Sequence, residues 1–168
     1  FPGGAVDRAD AALPLAGVPR HPDPAGATPP APGSPPPADP DLAPGVAAGA
    51  LRELFEETGL LAVAGGPLAG RNTLRARLLS GGAGFDGALA EAGLALDAAR
   101  LVFSGRWLSP PFTPIRFDNR FFLLEWSSAD GEPEVAPPES ESGEWIAPAR
   151  ALDAIERGAA MAAPPIVH

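Results

Sequence analysis

Apolar residues at helical spacing predict a helix over residues 45–58, which is the clearest periodic pattern in the chain. Pro44 suits the first position of a helix, and Gly59 suits the position directly after its last residue. The pattern therefore carries both a start signal and a stop signal. Three further helices are predicted, over residues 71–80, 85–92 and 148–157.

Strand patterns alternate with these helices. The segment 116–126, rich in Phe and Leu, is the strongest of them. Shorter strands are predicted over residues 60–64, 101–108 and 144–146, and residues 1–10 have the pattern of a strand end that enters a glycine turn. Because helices and strands are mixed along the chain, the sequence predicts an α/β or α+β fold. Its 168 residues fit one domain.

The segment 11–44 differs from the rest of the chain, since it is crowded with Pro, Ala, Gly and Asp and has no apolar period. Proline lacks a backbone donor and disfavours helices and central strands, so we expect an insertion without regular structure. A ligand for a proline-binding module is the alternative, and a plain linker is favoured over it. His21 lies in this segment and has no predicted role.

Composition narrows the classes of partner. The formal net charge is -9, with 12 Arg and no Lys, which argues against general nucleic-acid binding because that needs a cationic surface. A phosphorylated small molecule is compatible, since a bound divalent cation can supply positive charge. The chain has no cysteine, which excludes disulfides and thiolate metal sites, and no apolar run approaches the length of a membrane span. We expect a cytoplasmic protein without a membrane partner.

Three glutamates share one face of the predicted helix 45–58. Glu53, Glu56 and Glu57 stand at positions i, i+3 and i+4. On a solvated surface such neighbours repel by only about a few tenths of a kcal/mol, and a plain charged surface is the simplest interpretation. If the face is partly buried, two charges about 5 Å apart repel by roughly 3 kcal/mol, and the trio then needs a cation. An all-oxygen ligand set favours Mg²⁺ or Mn²⁺, which also bind phosphate oxygens.

The stretch from Arg52 to Leu60 resembles the second half of the Nudix box, which reads Arg-Glu-aliphatic-x-Glu-Glu-x-Gly-aliphatic. FPGG, ending at Gly4, is similar to the family's entry into the box. Asp10 follows Gly4 after five residues, where the family usually has Glu. Between Asp10 and Arg52 lie 41 residues, whereas the family has seven. Such lengthening of a flexible connection costs about 1.6 kcal/mol, so the box can survive if the insertion loops out.

A similar long insertion marks a Nudix subgroup that includes a peroxisomal acyl-coenzyme A diphosphatase. Other segments resemble that subgroup as well: residues 107–110, 116–118, 121–122, 144–145 and 164–165. The resemblance implies a Nudix domain over residues 1–168, with 11–44 as its insertion. The implied fold is an α/β/α sandwich with a mixed sheet, of which we expect this sequence to lack the N-terminal strands.

The implied activity is metal-dependent hydrolysis of a diphosphate linkage in a small coenzyme or nucleotide derivative. Coenzyme A or an acyl-coenzyme A is the first candidate substrate. ADP-ribose or nucleotide sugars are alternative substrates. A non-catalytic Nudix module that binds a nucleotide or a protein is a further alternative, because the first half of the box is altered.

Roles for individual residues follow from the resemblance. Glu56 and Glu57 are the expected main metal ligands, and Glu53 is a further ligand or the base that activates water. The carbonyl of Gly4 is an additional expected ligand, because glycine lets the backbone approach closely. Arg52 is expected to orient the glutamates through charge-assisted hydrogen bonds. The role of Asp10 stays open.

The family often adds an acid from a later loop, for which Glu139 is the first candidate and Glu141 the second. A surface position is an equal alternative for both. Arg116 is a candidate for binding a substrate phosphate, although a structural pair between Arg116 and Asp118 is favoured. Trp107 is a candidate for stacking on an adenine ring, although aromatic residues are more often part of a core.

Overall fold

The structure, a computed structural model, describes residues 2–22, 43–64, 69–80, 84–135 and 142–160. Its helices are α1 (Pro44–Thr58), α2 (Arg71–Leu79), α3 (Phe85–Glu91) and α4 (Pro148–Glu156). Its strands are β1 (Leu15–Ala16), β2 (Val63–Ala64), β3 (Ala95–Asp97), β4 (Leu101–Leu108) and β5 (Asp118–Leu124). Each of the four helices agrees with its sequence prediction to within one residue at either end.

Helix α1 forms where its periodic pattern predicts. Leu51 and Phe55 lie one turn apart and are buried in the core, so the apolar stripe of the helix faces inward. Pro44 occupies the first turn, and the helix ends at Gly59, whose φ of 71° is the left-handed conformation that glycine adopts without strain. The backbone N–H of Gly59 donates to the carbonyl of Phe55, which closes the last turn.

The strands form a mixed sheet and a hairpin, which confirms the α/β prediction. The three-stranded sheet has the order β1-β3-β2, in which β1 runs parallel to β3 and β2 runs antiparallel to it. Strands β4 and β5 pair in antiparallel fashion, with an irregularity in register between Phe103 and Gly105. Strand β4 has its predicted bounds, whereas the predicted strands 60–64 and 116–126 are shorter in the structure.

The prediction of a strand over residues 144–146 is wrong. These residues lie within the described range 142–160 and form no strand there. The ring of Trp145 is exposed and lies 5.4 Å from the ring of Trp126, measured between centroids. The segment therefore makes side-chain contact with the domain without entering a backbone ladder.

The first part of the segment 11–44 is ordered within the fold, so the expectation of no regular structure is wrong there. The chain enters it through a 3₁₀ helix, Arg8–Ala12, where a strand end was expected. Strand β1 follows, and Pro14 accepts a hydrogen bond from the backbone N–H of Leu96 at 2.8 Å. Leu13 and Leu15 pack against the core, and this apolar contribution offsets the cost of ordering the backbone. The later part, residues 23–42, lies outside the described residues.

The core lies where α1 meets α2, α3 and the strands. The ring of Phe55 stacks on that of Phe85 at 5.7 Å between centroids. Around this pair lie the other large core residues, Leu51, Leu61, Leu74, Leu89, Leu94, Leu96 and Leu101. One face of α1 is thus fixed by packing, which determines where its opposite face points. No helix in the described part of the chain is long and apolar enough to span a membrane.

Candidate active site

Asp10 lies beneath the glutamate face of α1 and is only 1% exposed. Arg52 approaches it with two nitrogens, Nε at 2.6 Å from Oδ1 and Nη2 at 3.1 Å from Oδ2. Gly49 leaves room for this carboxylate, because a Cβ at that position would stand 2.8 Å from Oδ2 of Asp10. The geometry therefore gives Asp10 a structural role, which the sequence left open. Its spacing from Gly4 is the sequence signal that identifies this residue.

Arg52 joins Asp10 to the glutamates. Its Nη1 lies 2.7 Å from Oε2 of Glu56 and 3.0 Å from Oε1 of Glu53. Its Nη2 also donates to the carbonyl oxygen of Ala5 at 3.0 Å. The hydrogen bond to Asp10, followed by the charges of Glu56 and Glu53, raises the pKa of Arg52 above its ordinary value even though burial opposes this. The permanently charged guanidinium of Arg52, which is held by the buried Asp10, thus orients the carboxylates of Glu53 and Glu56.

The Gly3–Gly4 turn faces the same glutamates. The backbone N–H of Gly3 donates to Oε1 of Glu57 at 3.1 Å. A Cβ added at Gly4 would collide with the carboxylate of Glu53. Because those atoms are the mobile end of the Glu53 side chain, a Cβ at position 4 would displace this carboxylate rather than the backbone. All three glutamates of the helix face are engaged, two by Arg52 and one by the turn.

The environment of Glu56 shifts the pKa of its carboxylate. Burial raises the pKa of Glu56, and the charges of Glu53 and Asp10 raise it further, while Arg52 opposes the shift. The balance leaves the pKa above its ordinary value.

The three glutamates do not yet surround one point. Within the described residues, no group of three or more His, Asp or Glu side chains is arranged closely enough to hold a metal ion. The reason is visible in the contacts, since Glu53 and Glu56 turn toward Arg52 while Glu57 turns toward Gly3. The donor chemistry nevertheless fits Mg²⁺ or Mn²⁺, because these are carboxylate oxygens on one helix face beside a glycine backbone.

A cavity of about 540 Å³ adjoins this face. Its polar wall includes Arg52, Glu53 and Glu56, and its apolar wall includes Leu78 and Phe85. Cavities of roughly 300–1,000 Å³ are typical of small-molecule sites. The glutamate face is thus accessible to a small ligand rather than covered by the fold.

The predicted substrate-binding residues lie elsewhere, on and beside the β4–β5 hairpin. Trp107 is half-buried on β4, and Arg116 precedes β5 and donates to the carbonyl of Ser109 at 3.4 Å. The predicted Arg116–Asp118 pair is wrong, because Asp118 instead binds Arg106 and Arg120, which register places opposite each other. Neither Arg116 nor Trp107 is among the described residues that line the cavity.

The last predicted site residue, Glu139, cannot be located relative to the helix. It lies outside the described residues, as do Glu141 and the segment 164–165. Its assignment as an additional acid therefore stays a prediction.

Among solved structures, the chain is similar to a NUDIX hydrolase from Alicyclobacillus acidocaldarius. The two are 35% identical with a TM-score of 0.77, and the match covers 99% of this chain and 71% of that one. No protein-family model and no curated protein matches the chain. This match agrees with the contacts that residues of the box make in the structure, where Arg52 binds Glu53 and Glu56 and Gly3 binds Glu57. The chain therefore belongs to the Nudix hydrolase family, whose members act on phosphorus anhydrides.

Proposed function

We propose that this chain hydrolyses a diphosphate linkage in a coenzyme or nucleotide derivative with the help of Mg²⁺ or Mn²⁺. The observation that carries the proposal is the arrangement of Glu53, Glu56 and Glu57 on one face of α1, beside the Gly3–Gly4 turn and an adjoining cavity. A merely solvated charged surface would need neither a buried aspartate beneath it nor a glycine turn against it.

In this proposal Glu56 and Glu57 are the main metal ligands, with Glu53 and the carbonyl of Gly4 as further ligands. A divalent cation held by these residues would supply the chemistry that activates water and would offset the negative charge of the diphosphate. The chain's own task is to present its carboxylates together, which requires them to leave Arg52 and Gly3 in part. The change required is rotation of the side chains, because the three glutamates already share one face of the helix.

Proton removal needs a base near the attacking water. Glu53 is one candidate, since Glu56 and Glu57 are the proposed main metal ligands. Glu139, from a later loop, is the other. Arg52 acts indirectly, since its guanidinium binds Asp10 and orients both Glu53 and Glu56.

The ends of the substrate must supply selectivity, because the diphosphate itself is common to all candidate substrates. We propose coenzyme A or an acyl-coenzyme A, with Arg116 binding a phosphate and Trp107 stacking on the adenine. Arg116 supports this assignment because it stands beside the hairpin, donates to the carbonyl of Ser109 and carries the positive charge that a phosphate would bind.

The reaction expected is attack of water on one phosphorus of the P–O–P bridge. The bridge P–O bond breaks, one phosphate leaves with the bridging oxygen, and the attacking water loses its proton to the base. For coenzyme A the products are a phosphopantetheine fragment and an adenosine bisphosphate.

The test is a substrate screen read by product mass. Coenzyme A, acetyl-coenzyme A, ADP-ribose and a nucleotide sugar are incubated with the protein and either Mg²⁺ or Mn²⁺. We expect cleavage of the two coenzyme A compounds at the diphosphate. Turnover of ADP-ribose or the sugar with coenzyme A left intact would contradict the substrate assignment, and no turnover of any compound would return the chain to a binding role.

Arg116→Gln sharpens the same test. If Arg116 binds a substrate phosphate, KM for coenzyme A rises by about tenfold while turnover at saturation changes little, since a uniform binding contact is removed. Arg150→Gln, an exposed residue on α4, is the matched control for loss of one positive charge. Equal KM values for the two variants would remove Arg116 from the site.

A further inference from the structure

A buried arginine, Arg75, closes the C-terminal end of the glutamate helix. Its Nε donates to the carbonyl oxygen of Glu56 at 3.0 Å, and its Nη2 donates to the carbonyl oxygen of Glu134 at 2.7 Å. Arg75 belongs to α2 and is only 8% exposed. Its guanidinium also packs tightly against Gly59, where a Cβ would stand 3.2 Å from Nη1. The residue thus connects three separate parts of the chain.

The last turn of a helix leaves carbonyl groups without helical partners. In α1 the carbonyl of Phe55 accepts from Gly59, that of Glu56 accepts from Arg75, and that of Thr58 accepts from the backbone N–H of Glu134 at 2.7 Å. Arg75 and Glu134 therefore fix the same turn from two sides. That turn carries Glu56 and Glu57, so its orientation determines where their carboxylates point.

The environment of Arg75 differs from that of an ordinary surface arginine. Burial lowers its pKa, and the charge of Glu134 opposes that change. Its two hydrogen bonds to α1 and to the segment 131–135 both end on backbone carbonyls. A buried guanidinium is costly to desolvate, and apolar residues of similar volume often stabilise a fold at least as well. A contribution to the stability of the fold is therefore a weak explanation for an arginine at position 75.

Arg71 provides an internal comparison. It stands one turn earlier on the same helix, and its Nη1 donates to the carbonyl oxygen of Asp130 at 2.7 Å. Among the described residues its buried Nε has no hydrogen-bond partner. Arg71 and Arg75 thus bind the same segment, 130–134, whereas only Arg75 also donates to α1.

We propose that Arg75 is a positioning residue for the reaction, which fixes the last turn of α1 and thereby the direction of the Glu56 and Glu57 carboxylates. The inference rests on the proposed metal role of those glutamates. Groups that hold metal ligands in place from outside typically change metal affinity by about 10–100-fold when removed. A misplacement of about 1 Å is enough to cost about a hundredfold in rate.

The experiment compares Mn²⁺ affinity in the parent chain, Arg75→Met and Arg71→Met, measured from the electron paramagnetic resonance signal of free Mn²⁺. Both variants lose one charge and a hydrogen bond to the segment 130–134, and their thermal midpoints are measured in parallel. We expect Arg75→Met to weaken Mn²⁺ binding by about tenfold or more. Arg71→Met changes it less than about twofold, since its partner lies outside α1. If Arg75→Met does not fold, Arg75→Lys and Arg71→Lys provide the same comparison, because lysine lacks the planar fork that serves both carbonyls.

Equal Mn²⁺ affinities in the Arg75 and Arg71 variants would overturn the positioning role, whatever the loss in thermal midpoint. Where both variants fold, Arg75→Lys should bind Mn²⁺ more tightly than Arg75→Met and more weakly than the parent, because it keeps the charge but lacks the fork that serves both carbonyls. A parent chain that binds no Mn²⁺ would overturn the metal assignment and this inference together. A parent that binds Mn²⁺, with Arg75→Met binding it equally well, would overturn the inference alone.

Discussion

Two aspartate–arginine pairs in this molecule have the same shortest distance and very different surroundings. Asp10 and Arg52 approach to 2.6 Å beneath α1, and Asp118 and Arg106 approach to 2.6 Å on the β4–β5 hairpin. The side chain of Asp10 is 1% exposed, whereas that of Asp118 is 37% exposed. The distance between the charged atoms therefore does not by itself determine how much such a pair stabilises the fold. Water screens the hairpin pair, and the buried pair depends on its partner for nearly all of its solvation.

A third pair lies between these extremes. Arg100 and Asp130 flank the hairpin at its base, and the Asp130 side chain is 6% exposed. Nη2 of Arg100 lies 2.7 Å from Oδ2 of Asp130, and the backbone N–H of Ser127 donates to the same oxygen. The three aspartates thus form a graded series in which chemistry is constant and burial varies.

Removal of the buried aspartate should have the largest effect on stability. Asp10→Ala leaves Arg52 without its main partner and deletes the acceptor for the backbone N–H of Asp7, which lies at 2.7 Å. We expect the free energy of unfolding to fall by about 3 kcal/mol, as for one partner of a buried pair. Urea denaturation measures it.

Asp7→Ala is the matched control for that variant, because Asp7 caps the same 3₁₀ helix from an exposed position. Its loss should cost about 1 kcal/mol, the usual value for a helix cap. If the two variants lose the same free energy, the burial of Asp10 contributes nothing beyond local capping.

Asp130→Asn should have the intermediate effect, about 2 kcal/mol near neutral pH, because it weakens charged hydrogen bonds to Arg100. Burial acts to raise the pKa of Asp130, but the hydrogen bonds from Arg100 and Ser127 prevail and leave it lowered. Because the pKa of Asp130 is lower in the folded state, its ionised carboxylate stabilises the fold fully above the unfolded-state pKa of about 3.9. That stabilisation is lost as the pH falls through the folded-state pKa.

The measurement is therefore urea denaturation of the parent and Asp130→Asn at several pH values. The difference in unfolding free energy should be constant from pH 7 down to about 5 and shrink below about pH 4. A difference that grows on acidification would reverse the sign of the assigned shift.

Asp118→Asn should have the smallest effect. The hydrogen bonds from Arg106 lower the pKa of Asp118, with those from Arg120 adding to the shift, but water competes for the same groups. We expect the urea midpoint to stay within experimental error of the parent at moderate salt. A midpoint shift as large as that of Asp130→Asn would break the ranking by burial.

Local pattern was sufficient for the helices and for part of the site. The bounds of α1 followed from its apolar period and its terminal Pro44 and Gly59, all of which act within the helix itself. The shared face of Glu53, Glu56 and Glu57 followed from helical spacing alone. These predictions succeeded because no distant residue was needed to make them.

Contacts between distant segments were beyond the sequence. Arg75 is separated from Glu56 by 19 positions and Asp10 from Arg52 by 42, and spacing alone does not specify either contact. The prediction of a pair between Arg116 and Asp118 was wrong for a related reason. Pairing of the two strands of the hairpin brings Arg106 to the carboxylate of Asp118 instead. The Pro-rich composition of the segment 11–44 likewise gave no indication that Leu13 and Leu15 pack against the core and order its first part.

The central claim is that the glutamate face of α1 performs metal-dependent hydrolysis, and Glu56→Gln tests it most directly. Turnover of coenzyme A with Mg²⁺ is measured by product mass for the parent, Glu56→Gln and Glu91→Gln, the last an exposed glutamate of α3. Loss of one charged ligand should lower turnover by a factor of about one hundred or more, with the urea midpoint nearly unchanged. Glu91→Gln should match the parent. A folded Glu56→Gln variant that turns over coenzyme A as fast as the parent would contradict the account.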